Sequence, residues 1–263
     1  MSAVREAREL NKNTDKRREE EPENELIIGR NPVTEALRNG REIDTLYIAK
    51  GDRSGSLGVI AGKARDAGIV IKEVDRRKLD AMCSGANHQG VAARAAVAEY
   101  CEVGDILEAA EQKGEAPFII ICDDIEDPHN LGAIIRTADA CGAHGVIIPK
   151  RHGASLTYAV GKASAGAIEY VPVARVSNLA ATLEDLKKKG LWIYGADMDG
   201  EPRDKVDFSG PVALVIGSEG KGIGRLIKEK CDFIVSLPMK GKVNSLNASV
   251  AAGILMYEVI KYR

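Results

Sequence analysis

Four residues suited to orienting a hydroxyl or a phosphate stand in three separate stretches of this sequence. Asn130 and Arg136 lie in DDIEDPHNLGAIIRTADACG (123–142), Glu219 in VALVIGSEGKGIG (212–224), and Asn247 in VSLPMKGKVNSLNASVAAGILMYEVIK (235–261). An asparagine amide offers a donor and an acceptor, a guanidinium a planar fork of donors, and a carboxylate only acceptors. The middle stretch adds Gly217, Gly220, Gly222 and Gly224, whose lack of a side chain lets backbone amides approach a ligand closely. A nucleotide-like ligand at the glycine loop, with Glu219 able to orient a cation or accept from a hydroxyl, is the chemistry these residues could serve. The glycine spacing fits neither the G-x-x-x-x-G-K-[ST] phosphate loop nor the G-x-G-x-x-G dinucleotide turn, and it follows a late strand; both features disfavour an ATPase or a dehydrogenase.

Each stretch also has a plainer reading. The first is equally an ordinary helix capped by Asn130, with Leu131, Ile134, Ile135 and Ala138 as its buried stripe and Arg136 in solvent. Asp123, Asp124 and His129 read as structural. Glu219 alone would be a solvated loop carboxylate. In the third stretch a helix starting at Asn244 or Ser245 would carry Leu246, Val250, Ile254 and Tyr257 on one apolar face, with Asn247 in its first turn. The small residues Ala248, Ser249, Ala251, Ala252 and Gly253 predict a tight packing interface there.

The elements that must position these residues form an α/β pattern. Strands are expected at 118–122, 145–148, 169–174, 191–195, 212–216 and 233–237, with helices at about 130–141, 177–189 and from about 245. Strands that are continuously apolar and alternate with helices imply a parallel sheet covered on both faces, which binds ligands at the carboxyl ends of its strands. All three polar stretches follow such ends. Ahead of this lies a smaller α/β module, 26–100, built from segments such as PVTEALRNG, LYIA, GVIAGKARDAG, VIKEV and GVAARAAV. Residues 101–116 read as a linker that includes a short helix. Residues 1–25 are dense in charge of both signs and poor in apolar residues, which predicts a disordered tail.

The 263 residues suffice for two domains and a sizeable core without disulfides or metal. Five scattered cysteines with no C-x-x-C pair argue against a disulfide framework and a structural zinc site, and fit a reducing cytoplasm. No apolar run approaches the ~20 residues that cross a bilayer. The net charge of −2 conceals a distribution. Basic residues number 6 against 8 acidic in 1–25, 12 against 9 in 26–101, and 19 against 22 in 102–263, so only the smaller module is net basic. That suits a nucleic-acid partner.

The blocks NLGAIIRTADACGAHGVI, IGSEGKGI and SLPMKGKVNSLNASVAAGI, in this order and spacing, closely resemble the SpoU/TrmH family of RNA ribose 2′-O-methyltransferases of the SPOUT superfamily. IIGRNPVTEAL (27–37) and HQGVAARA (88–95) resemble that family's small, ribosomal-protein-like substrate-binding domain, as in the RlmB subgroup that modifies a guanosine of 23S rRNA. The resemblance implies a methyltransferase domain at 117–263 with a carboxyl-terminal trefoil knot, a homodimer paired across it, and methyl transfer from S-adenosylmethionine to an RNA ribose hydroxyl, leaving S-adenosylhomocysteine, with no metal. It implies cofactor binding through Gly217, Gly222, Leu237, Met239, Ser245 and Leu246, and catalysis by Asn130, Arg136, Glu219 and Asn247. Arg136 would accept the proton or contact the substrate phosphate, and Glu219 would pair with it or fix the loop. Ala248 replaces a larger β-branched residue of many relatives, a change in packing rather than in reactive groups. Relatives acting on tRNA or on other rRNA positions share these blocks, and a non-catalytic RNA-binding assembly factor on the same fold is the alternative from a different class.

Overall fold

The chain alternates short apolar strands with amphipathic helices from Leu26 onward, and the computed structural model describes residues 26–51, 55–242 and 245–263. The charged tail expected at 1–25 and Asn244 lie outside the described residues. The first elements are β1 (Leu26–Ile28), α1 (Arg30–Arg38), β2 (Ile43–Ala49), α2 (Ser56–Asp66), β3 (Val70–Val74), α3 (Arg76–Met82) and β4 (Val91–Ala95). They form a four-stranded sheet in the order β1-β4-β2-β3, in which only β2 and β3 run parallel. Val33, Leu46, Leu57, Ile60 and Val91 fill its main core.

The segment 101–116 carries α4 (Val103–Lys113), whose Ile106 and Ala110, four residues apart on one face, are buried. Ile106 packs with Ile119, Ile121 and Ile147 of the sheet that follows. That sheet comprises β5 (Phe118–Cys122), β6 (Gly145–Pro149), β7 (Val173–Val176), β8 (Trp192–Pro202), β9 (Val212–Ile216) and β10 (Phe233–Ser236), ordered β10-β8-β9-β5-β6-β7 with every pairing parallel. FIIIC and VALVI are buried at every position, as strands covered on both faces must be. One face is covered by α5 (Pro128–Ala140), through Leu131, Ile134, Ile135 and Ala138, and by the terminal helix Ala248–Val259, through Ala252, Leu255, Met256 and Val259. α6 (Tyr158–Ala163) joins them through Val160, and α4, α7 (Leu179–Lys188) and α8 (Arg225–Lys230) cover the other face.

Four expectations change. The strand expected at 191–195 becomes β8, which runs on to Pro202 beside β10. The strand expected at 169–174 becomes a 3-10 turn, Ala167–Glu169, and then β7, because Pro172 lacks the N–H a ladder needs and the strand begins after it. The terminal helix starts at Ala248 rather than at Asn244 or Ser245. Its face Val250, Ile254 and Tyr257 points outward, with Val250 49% and Tyr257 52% exposed. The helix is apolar on nearly all sides, so the spacing of its apolar residues could not distinguish the side that meets the sheet.

The two sheets are joined through Asp44 on β2, which is 1% exposed. Arg175 Nη1 lies 2.7 Å from its Oδ1, to which Tyr100 Oη also donates at 2.5 Å, and the guanidinium sits 4.2 Å from the Tyr100 ring centre. Burial pushes the Asp44 carboxyl up from its ordinary value, against the lowering effects of Tyr100 and Arg175. A buried charge pair of this kind fixes a relative orientation more surely than it adds stability.

Candidate active site

At the carboxyl ends of the neighbouring strands β5 and β9 the chain departs from the sheet in two loops held together by backbone and side chain. Asp123 N donates to Ile216 O at 2.8 Å, and Gly224 N donates to Asp123 Oδ2 at 2.7 Å. Burial pushes the Asp123 carboxyl up, and the Gly224 N–H pulls it down. Between them the glycine loop folds back on itself: Ser218 N donates to Gly222 O at 3.1 Å and Gly222 N to Ser218 O at 2.9 Å. Gly220 (φ +90°) and Gly222 (φ +65°) supply the left-handed backbone this reversal requires. A Cβ on Gly217 would fall within the backbone of Gly222 and Ile223, so that position admits only glycine without moving the loop.

A cavity of about 640 Å³ opens beside this loop, within the size range of small-ligand sites. Its lining includes all six residues expected to bind a cofactor: Gly217, Gly222, Leu237, Met239, Ser245 and Leu246. It also includes Asp197, a residue that sequence reasoning missed. Lys228 Nζ holds Asp197 Oδ1 at 3.0 Å and lies 3.6 Å from Asp199 Oδ2. A signal was present, since Asp197 lies at the carboxyl-terminal end expected for the strand at 191–195.

Three of the four expected catalytic residues meet at the edge of that cavity. Asn130 Nδ2 donates to Glu219 Oε1 at 3.1 Å, and Asn247 Nδ2 donates both to Asn130 Oδ1, at 2.9 Å, and to Glu219 Oε1. Ala248 N donates to the same carboxylate oxygen at 3.2 Å, placing a negative charge at the amino-terminal end of the last helix, α9 here (Ala248–Val259), where the helix dipole favours it. Asn247 is the cap of α9: its Oδ1 accepts from Ser249 N at 3.0 Å and Val250 N at 3.2 Å. Asn130, by contrast, does not cap its helix. Asp127 does, accepting from His129 N at 2.9 Å, which leaves the buried Asn130 amide for the polar cluster. A smaller cavity, about 270 Å³, is lined by Asn130, Glu219 and Lys221 together with Glu126 and Asp127.

Arg136 is not part of this group. It is exposed on α5, six residues and so about a third of a turn in angle from Asn130. Glu219 therefore fixes the two asparagines and does not pair with Arg136. Among the described residues no group of His, Cys, Asp and Glu could hold a metal ion, and no helix is long and apolar enough to cross a membrane.

Glu219→Gln should leave the fold intact but replace charge-assisted hydrogen bonds to two amides and a helix terminus with neutral ones. For this exposed carboxylate the expected cost is about 1 kcal/mol. Urea unfolding should show a lower midpoint at unchanged slope. An unchanged midpoint would mean the carboxylate does not hold the cluster.

Comparison with known proteins places this geometry in context. Residues 117–257 match the model of the SpoU rRNA methylase family, and residues 26–101 match that of the RNA 2′-O ribose methyltransferase substrate-binding domain. A Bacillus subtilis protein named as a TrmH-family tRNA/rRNA methyltransferase, YacO, is 54% identical over 92% of this chain and 97% of its own length. The SpoU methyltransferase AviRb of Streptomyces viridochromogenes, solved in complex with AdoMet, is 25% identical with a TM-score of 0.56, covering 90% of this chain and 89% of that one. An AdoMet-bound rRNA methyltransferase of Sinorhizobium meliloti is also 25% identical, with a TM-score of 0.57 over 90% of this chain and 87% of that one.

Proposed function

Since the chain belongs to the SpoU rRNA methylase family, we propose that it transfers a methyl group from S-adenosylmethionine to a ribose 2′-hydroxyl of RNA, with a guanosine of 23S rRNA as the target. The observation that carries this reading is the Asn130–Glu219–Asn247 cluster at the edge of the glycine-loop cavity. Residues 26–100 serve as the RNA-binding domain and 117–263 as the transferase domain, in the cytoplasm.

The residues present fit the cofactor. Gly217 lets the loop close on the backbone of Gly222 and Ile223, which shapes this wall of the cavity, and Leu237 and Leu246 offer apolar surface beside Asp197. When bound, the sulfonium supplies an electrophilic methyl group. The Asn130 amide, which makes one bond through its nitrogen and one through its oxygen, keeps a donor and an acceptor for the ribose hydroxyl, while Asn247 is spent on Asn130, Glu219 and the start of α9. Glu219 holds both amides in register, so alignment is built in before substrate arrives. Arg136 positions a substrate phosphate, for which a guanidinium that stays charged is better suited than for accepting a proton.

The reading includes a homodimer and a carboxyl-terminal trefoil knot. The outward face of α9 supports the dimer: Val250, Gly253, Ile254 and Tyr257 line an open cavity with Thr137 of α5, next to Arg136. Pairing of two copies over this face brings Arg136 to the boundary between them.

The test is to incubate the protein with labelled S-adenosylmethionine and separate pools of unmodified 23S rRNA, 16S rRNA and tRNA, and to locate the modified nucleotide by mass spectrometry. A single 2′-O-methylated guanosine in 23S rRNA is expected. Label confined to tRNA or 16S rRNA would keep the reaction and overturn the substrate; a methyl group on a base would overturn the reaction.

A further inference from the structure

The two sheets meet over a cleft that methyl transfer as described above does not use. It measures about 680 Å³ and lies between β2, β3 and β4 of the small sheet and the loop following β6 of the large one. Lys72 and Arg94 stand on the first wall, Lys150 and Arg151 on the second. Of the other charged residues lining it, Asp44 and Arg175 neutralise one another, leaving Glu126 as the remaining carboxylate. Lys72 and Arg151 are exposed, and neither forms an ion pair with a described residue. Two buried polar atoms of the residues lining the cleft, Arg94 Nε and Asp44 Oδ2, have no hydrogen-bond partner among the described residues, and the Arg94 guanidinium lies 5.9 Å from the Tyr47 ring centre.

Four cations gathered in a concave place repel one another. A polyanion lying in the cleft relieves that repulsion, and low-dielectric walls focus the field on one. The cleft also has a direction. Glu126 lines it and lines the small cavity that holds Asn130 and Glu219, so the two spaces adjoin. Tyr158, 40% exposed on the second wall, offers a ring on which a base can stack.

We propose that this cleft holds the phosphate backbone of the RNA strand leading to the Asn130–Glu219–Asn247 cluster, with Lys72 gripping it from the small sheet and Lys150 and Arg151 from the large one. The assignment rests on the RNA methyltransferase reading above. It differs from RNA binding by the small domain alone in requiring both walls.

The test measures binding of the full chain to the RNA pool that it methylates, by fluorescence anisotropy across a salt series, for Lys72→Glu, Arg151→Glu and Lys189→Glu. The last lies on the surface outside the cleft and controls for net charge. S-adenosylmethionine affinity, measured by calorimetry, shows that each variant is folded. Lys72→Glu and Arg151→Glu should each weaken RNA binding about tenfold and reduce the slope of log K against log salt by about 0.7, the loss of one phosphate contact on a single strand. Lys189→Glu should do neither. An effect of Lys72→Glu alone would confine RNA to the small sheet and overturn the cleft, as would equal effects of all three variants or none. A wild-type chain that binds S-adenosylmethionine but no RNA would overturn the functional reading itself, and the cleft with it.

Discussion

Gly217→Ala should weaken binding of S-adenosylmethionine at least a hundredfold while leaving a folded protein. Gly217 closes β9 and begins the loop whose strands are joined by Ser218 and Gly222, and a methyl group there would occupy the backbone of Gly222 and Ile223. Backbone atoms cannot swing aside as a flexible side chain can. The loop would have to open, breaking the Ser218–Gly222 bonds and displacing Gly222 from the cavity wall. A hundredfold loss is about 2.7 kcal/mol, the cost of losing two or three hydrogen bonds' worth of preorganised wall. Calorimetry gives the affinity, and circular dichroism the fold. Affinity within about threefold of wild type would show that the loop does not cradle the cofactor.

Arg136→Ala should lower turnover by about 10²-fold with cofactor affinity nearly unchanged, the scale of losing the alignment of the reacting groups. The side chain is exposed and stands apart from both the glycine-loop cavity and the polar cluster, so its removal leaves no cavity and breaks no ion pair among the described residues. A loss of activity therefore cannot be attributed to folding or to cofactor binding. Single-turnover methyl transfer at saturating S-adenosylmethionine is the measurement. Near wild-type turnover would remove Arg136 from the mechanism. Arg136→Lys sharpens the result: it keeps the charge but loses the planar fork, and it should recover little activity if the fork holds a phosphate in two places.

Much of the large sheet was legible because most of its strands are short apolar runs, whereas β8 runs past its expected end at 195 through the polar residues Asp197, Asp199 and Glu201. The strands at 118–122 and 212–216 were placed to the residue, and the one beginning at 233 nearly so. The strand expected at 169–174 was misplaced because the apolar Val171 lies next to Pro172, whose missing N–H delays pairing by several residues. At the site, residue type alone singled out the glycine loop, while the two asparagines were singled out through the family resemblance, and neither reading gave their partners. Asp127 and Asn130 are both good caps, and only the path of the chain into α5 decided that Asp127 fills that role.

The sequence by itself determined the α/β class, the strands that form the core, and the three blocks from which family membership follows, because apolar periodicity and motif order are written along the chain. Only the tertiary structure decided which residues share a site. Asn130, Glu219 and Asn247 are separated by 89 and 28 residues, and they meet because β5 and β9 are adjacent in the sheet and α9 begins beside them. The same folding turned Arg136 away from Glu219 and left the outer side of α9 uncovered. A helix apolar on every side can pack by any of them, and which side faces the core is fixed by the sheet it lands on, not by its own composition.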